Sequence, residues 1–283
     1  MKIKTAVYKK IIGFLSMAVL FLLVTNYLAL RKLDLVTRGK PPVKDNVENT
    51  IPETVPDPKP KIITGKIVLV IDDFGYRDDK VSDGFLGLGI NITCAIIPGH
   101  SQTRKFAEKA SSAGQEVIIH LPMESRIPER GEEDYKIKTG MTSEEIEWRI
   151  REVLKDIPEA VGMNNHQGSK ATMDGKVMSV IGSVLKQHGK YFVDSRTTKE
   201  TVGEKTMRAL GVPTARRHVF LDNETDIKRI SSQLEQLVQM AREQGIALGI
   251  GHAKPNTLKV LKKEIPKLLE KGIQFEFASR IVN

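Results

Sequence analysis

The first thirty residues carry a continuous apolar run rather than a periodic one. Lys2, Lys4, Lys9 and Lys10 precede residues 11–30, which contain no charged side chain. At ~1.5 Å per helical residue, that run matches a hydrocarbon core of roughly 30 Å and predicts a membrane-spanning helix. It exceeds the usual apolar stretch of a signal peptide and no small-x-small site follows it, so an uncleaved anchor is expected. The leading lysines put the N-terminus in the cytoplasm and the rest of the chain outside it, although Arg31 and Lys32 blur the asymmetry.

Periodicity then disappears. Residues 31–65 contain Pro41, Pro42, Pro52, Pro56, Pro58 and Pro60, which favour extended backbone and predict a tether. A domain is expected over residues 66–283, long enough to bury a full core.

Within it, short apolar runs at 67–71, 92–97, 117–119, 160–163, 191–193, 212–220, 246–250 and 275–278 read as strands. Helical periodicity lies between several of them. One helix starts at Thr142 with Glu145 completing a capping box; Ile146, Ile150, Val153, Leu154 and Ile157 share a face before Pro158. A second runs from Thr225 to Gly245 with Ile230, Leu234, Leu237, Val238 and Ala241 inward, and a third from Asp174 to Gly189. Alternating strand and helix predict an α/β fold with a parallel sheet, either closed as a barrel or open and doubly wound.

Charge changes the picture only at the N-terminus. Residues 1–66 hold 12 Lys and Arg against 5 Asp and Glu, which leaves 32 against 30 for residues 67–283. A nearly neutral body offers no phosphate track, so no nucleic-acid partner is expected. With Cys94 the only cysteine, an intramolecular disulfide and a Cys-rich zinc knuckle are excluded.

Candidate chemistry clusters at strand ends. Asp72 and Asp73 end the first strand, His120 the third and Asp194 the fifth; His166 follows the fourth and His252 the seventh. In parallel α/β folds those ends converge on one face. One Asp after a strand commonly caps a helix, and a lone His there is commonly structural. Two adjacent carboxylates repel unless a cation or shared proton compensates them, and three histidines at equivalent ends point the same way. His100, His188 and His218 lack that placement, and Asn164 and Asn165 fit a backbone turn. An Asp with two His suits Zn²⁺ with open positions, other divalent ions being possible. Such a cation lowers the pKa of its water from 15.7 toward ~7 and polarises a carbonyl, which is hydrolytic chemistry.

The segments VLVIDDFGY, IIHLPMES, GMNNHQGSKAT, FVDSRTT and GIGHAKPNT, in this order, resemble the divergent polysaccharide deacetylases, a remote branch of the NodB-homology carbohydrate deacetylases. The resemblance covers residues 66–283. It implies a distorted (β/α) barrel of about seven parallel strands and metal-dependent removal of acetyl groups from an acetylated glycan. It implies Asp72 as general base, Asp73 as metal ligand and His252 as general acid. The second motif departs from the pattern, because His120 is followed by LPME with no second histidine one turn on; His166 then takes the missing ligand position. Asp194, with Arg196, stands where the family orients its base.

The leading expectation is thus a membrane-tethered, exported carbohydrate deacetylase acting on cell-envelope polysaccharide with a divalent metal, Zn²⁺ by donor type. A binding module on the same fold would need neither base nor acid. A phosphoesterase would need cations such as Arg196 and Lys254 around the phosphate. With one Trp and five Tyr, sugar binding is expected to rely on hydrogen bonds more than on stacking.

Overall fold

The computed structural model describes residues 17–28, 30–31, 63–127 and 131–283. The chain forms two compact units, Met1–Asp57 and Pro58–Asn283. In the first, residues 17–28 are helical, with Phe21, Leu22 and Leu23 exposed. The span expected at 11–30 lies partly outside the described residues, as does most of the tether at 31–65. Among the described residues no helix is long and apolar enough to cross a membrane.

The second unit alternates strand and helix. Its strands are β1 (Gly65–Phe74), β2 (Thr93–Ile96), β3 (Glu116–Met123), β4 (Gly162–Gln167), β5 (Tyr191–Asp194), β6 (Thr214–Arg216), β7 (Val219–Phe220), β8 (Ile246–His252) and β9 (Ile273–Glu276). Its helices are α1 (Lys80–Leu86), α2 (Thr103–Ser112), α3 (Ser143–Asp156), α4 (Gly175–Gln187), α5 (Gly203–Leu210), α6 (Ile227–Gln244) and α7 (Pro255–Glu270). The capping box at Thr142 and Glu145 starts α3 as expected, and Asp174 caps α4. Helix α6 begins at Ile227, two residues later than the sequence pattern placed it, because Asp226 caps it and its carboxylate accepts from the Lys228 and Arg229 amides.

All strand pairs are parallel, in the order β6-β5-β4-β3-β2-β1-β8-β7, with β9 against the N-terminal half of β1. The sheet curls into a half-barrel. The distorted barrel of about seven parallel strands implied by the resemblance is, among the described residues, an open half-barrel of nine. The run at 212–220 splits into two strands too short to ladder with each other, and Arg217 and His218 carry the chain across the seam. Their amides bond to Asp194 O at 2.9 Å and Leu248 O at 2.9 Å, on opposite sides of the opening.

Strand alternation divides the core in two. Outward residues such as Ile67, Leu69 and Ile71 pack under the helices in one large cluster. Inward residues Val68, Val70, Ile118, Val193, Leu248 and Ile250 fill the curl in a second. Ala278 and the C-terminal segment join that inner cluster, with the Ala278 amide donating to Thr93 Oγ1. The polar site begins where this apolar filling stops.

Candidate active site

Alternation explains most of the placement. Asp72 continues the inward series after Val68 and Val70, His120 follows Ile118, and His252 follows Ile250. On β4, Asn164 and His166 are two apart and share a face. Asp73 should point outward, next to Asp72 as it is. Its φ of 67° breaks the alternation, and the β1–β2 register shifts between Ile71 and Phe74 at the same place. Left-handed backbone costs a non-glycine residue about 1–2 kcal/mol. Gly75, at φ 103°, completes the turn where a Cβ would stand 2.9 Å from Ile97 O.

Both carboxylates therefore reach the same imidazoles. His120 Nε2 lies 3.6 Å from Asp72 Oδ2 and 3.5 Å from Asp73 Oδ1, and His166 Nδ1 lies 3.4 Å from that same Asp73 oxygen. The two imidazoles meet at 3.0 Å between His120 Nε2 and His166 Nδ1. Asn164 fixes the protons. Its Nδ2 donates to Asp72 Oδ1 at 2.8 Å, so its Oδ1, 2.7 Å from His120 Nδ1, can only accept, and that imidazole nitrogen must carry its hydrogen. Burial opposes charging of His120, but Asp72 and Asp73 outweigh it and raise its pKa, and Nε2 is left facing Asp73.

His252 completes the far side. Asp222 Oδ1 receives its Nδ1–H at 2.8 Å, while Asp222 Oδ2 accepts the His252 amide at 2.8 Å and the Thr257 hydroxyl at 2.5 Å. The free Nε2 lies 3.9 Å from Asp73 Oδ2. Asp72 and His120 side chains are 3–4% exposed, whereas His166, His252 and Asp73 are 15–26% exposed, so the cluster opens to solvent on the Asp73 side.

The charges follow from burial and neighbours. Burial raises the Asp72 pKa even against the attraction of His120 and His252. For Asp73 burial is outweighed by the neighbouring imidazoles of His120, His166 and His252, which hold its carboxyl well below the usual range. Burial opposes charging of His252, but Asp222 outweighs it and raises that pKa. One carboxyl is thus a stronger base than an ordinary Asp, and the other stays ionised.

A cation fits at one point. Asp73 Oδ1 is buried with no hydrogen-bond partner, a costly state for a carboxylate oxygen unless something else compensates it. Among the described residues, Asp73, His120 and His166 form the one group able to hold a metal ion, their ligand atoms lying within 4.8 Å of one another. A carboxylate and two imidazoles, one of them oriented by Asn164, are the donor set of divalent transition metals.

The structure thus gathers Asp72, Asp73, His120, His166 and His252. Asp194 stays outside that contact set. Its neighbour Val193 faces inward, so Asp194 faces out, and its oxygens accept from the Arg196 amide, the Thr201 hydroxyl and the Glu204 amide. It shapes the loop entering α5. Asn164 forms no turn; it is a strand residue at the centre of the network. Asp222 was not foreseen, and nothing but its position just after a two-residue strand could have marked it. The three remaining histidines have local bonds: His100 with Glu132 at 3.3 Å, His188 with Val184 O at 2.9 Å and His218 with the Leu248 amide at 2.9 Å.

A curled parallel sheet with an Asp pair and histidines at its C-terminal rim defines a deacetylase-type fold. The chain belongs to the divergent polysaccharide deacetylase family, whose model matches residues 69–282. It is 35% identical over 207 residues to the uncharacterized protein YibQ of Escherichia coli (strain K12), across 73% of this chain and 64% of that protein's own length. An uncharacterized protein of Haemophilus influenzae is 33% identical over 205 residues, 72% of each chain. Among solved structures, an uncharacterized protein from Agrobacterium tumefaciens C58 superimposes with a TM-score of 0.72 at 17% identity, over 80% of this chain and 92% of that one, which shows a shared fold.

Asp222 sets the titration of His252. Asp222→Asn removes the negative charge that favours the imidazolium, so the His252 pKa moves down and the ring loses its proton at lower pH. Titration of the metal-free protein followed by NMR should show that shift; an unchanged or higher midpoint would contradict the pairing.

Proposed function

We propose that the chain is a metal-dependent hydrolase that removes acetyl groups from a cell-envelope polysaccharide. The observation that carries this reading is the partnerless Asp73 oxygen between two imidazoles, with Asp72 on one side and the Asp222-held His252 on the other. Asp73, His120 and His166 would hold a divalent cation, Zn²⁺ by donor type. When bound, such an ion polarises the acetyl carbonyl and makes water more acidic.

The protein's own groups divide the proton transfers. Asp72, its basicity raised by burial, takes a proton from water as the water oxygen bonds to the carbonyl carbon. Asn164 keeps Asp72 and His120 in register throughout. The carbonyl double bond re-forms as the bond to the sugar nitrogen or oxygen breaks, and His252 Nε2 gives its proton to that leaving atom. Acetate and a free amine or hydroxyl result. Asp222 holds the imidazole in the required orientation, and Asp194 positions the 195–204 loop beside the site.

Residues 1–30 would anchor the chain, residues 31–65 tether it, and residues 66–283 would work outside the cytoplasm. A C-terminal reporter that is active outside the cytoplasm, with the protein in the membrane fraction, is the expected result; a reporter active only in the cytoplasm would overturn this arrangement.

Activity is tested by acetate release from N- and O-acetylated glycans by the full-length chain supplied with Zn²⁺. Release should stop on chelation and fall ~10² to 10⁴-fold in Asp72→Asn and in His252→Ala, the usual contribution of a general base or acid. Undiminished turnover in Asp72→Asn would sink the mechanism. Binding of a glycan without acetate release by the parent chain would replace it with a binding module on this fold.

A further inference from the structure

The seam between β6 and β7 concentrates positive charge beside the candidate active site. Arg216, Arg217 and His218 are consecutive, and Arg196 follows β5 with a left-handed φ of 49°. Arg217 is half-buried. Its Nε and Nη2 donate to the Ser195 and Arg196 carbonyls at 2.6 and 2.8 Å, and its guanidinium lies 4.6 Å over the Phe220 ring. The Phe220 ring is in turn 5.3 Å from the His252 imidazole. Glu204 stands 3.6 Å from Arg216, and Glu224 3.6 Å from Arg229. Among the described residues, Arg196 and Arg217 have no such carboxylate partner, and Nη1 of Arg217 has no hydrogen-bond acceptor. Burial and the adjacent Arg196 hold the Arg217 pKa below its ordinary value.

A cleft of about 490 Å³ opens at Arg217, between β7 and α6, lined by Arg217, Phe220, Asn223, Arg229, Gln233 and Gln236 among others, with Arg196 next to Arg217 but outside the lining. Its one acidic lining residue, Glu224, is already paired with Arg229. Side-chain amides suit sugar hydroxyls. A guanidinium partly withdrawn from water, with donors unused and another cation beside it, suits an anion, because charge-assisted hydrogen bonds strengthen as water is excluded.

We propose that this cleft is a subsite for an anionic sugar, whose acidic group Arg217 receives, with Arg196 adding positive charge beside it, while a neighbouring sugar presents its acetyl group to His252. It rests on the deacetylase reading, since the Arg217–Phe220–His252 stack is what ties the cleft to the reacting end. The acidic group is a carboxylate or a phosphate monoester; both offer oxygens to a guanidinium fork.

The test compares three probes on the full-length chain by calorimetry: a tetramer of N-acetylglucosamine, the same tetramer with one sugar oxidised at C6 to a uronate, and the same tetramer phosphorylated at one C6. At least one charged probe should bind roughly tenfold tighter than the neutral one, the scale of a single charge-assisted contact, and the tighter of the two identifies the anion. Arg217→Gln should abolish the preference between charged and neutral probes. Arg196→Asn should weaken it without disturbing the fold, since Asn tolerates a left-handed backbone. Equal affinities, no binding of any probe, or a preference that survives both substitutions would overturn the subsite. Acetate release is recorded separately. Preference without release would keep the subsite and sink the deacetylase reading, and release with equal affinities would do the reverse.

Discussion

The site depends on one strained residue. A regular strand sends neighbouring side chains to opposite faces, so two consecutive carboxylates cannot share a pocket unless the backbone turns between them. Asp73 makes that turn with φ 67°, and the β1–β2 register slips at the same point. The strain puts a carboxylate oxygen between His120 and His166 without a hydrogen-bond donor of its own. Strain and a buried orphan oxygen are two costs at one residue, and a cation bound there would offset the second.

Everything around Asp73 keeps its neighbours in defined protonation states. Asn164 links Asp72 to His120 and settles which imidazole nitrogen carries hydrogen. Asp222 does the same for His252 from the opposite wall. Burial makes the pKa values diverge within a few ångströms: at Asp72 it outweighs the attraction of His120 and His252 and the Asn164 hydrogen bond, whereas at Asp73 the surrounding imidazoles outweigh it. Pairs of titratable groups pushed apart in this way are how a base and a charged ligand coexist in a single pocket.

Much of this was legible in the sequence. Apolar runs marked the strands, and the convergence of parallel strand ends brought Asp72, Asp73, His120, His166 and His252 together from positions spread over 180 residues of chain. The same rule misplaced Asp194, because being at a strand end says nothing about which face a side chain takes; the inward-facing Val193 decides that. Asn164 was hidden by its surroundings. MNNHQ has no apolar alternation, yet pairing from Gly162 to Gln167 with β3 keeps it in the sheet and turns polar residues into an inner wall. Asp222 follows a strand of two residues, too short for any periodic signal, and the open seam at β6 and β7 follows from the same shortness. Both are set by contacts with β8, which no local pattern encodes.

The central claim is that Asp73, His120 and His166 surround a cation. A crystal structure of the protein grown with Zn²⁺, with anomalous diffraction recorded across the zinc edge, tests it most directly. The account predicts a zinc peak about 2.0–2.2 Å from Asp73 Oδ1, His120 Nε2 and His166 Nδ1, with the Asn164 bridge between His120 and Asp72 intact. Full-occupancy zinc bound elsewhere, or none at this cluster at saturating Zn²⁺, would contradict it.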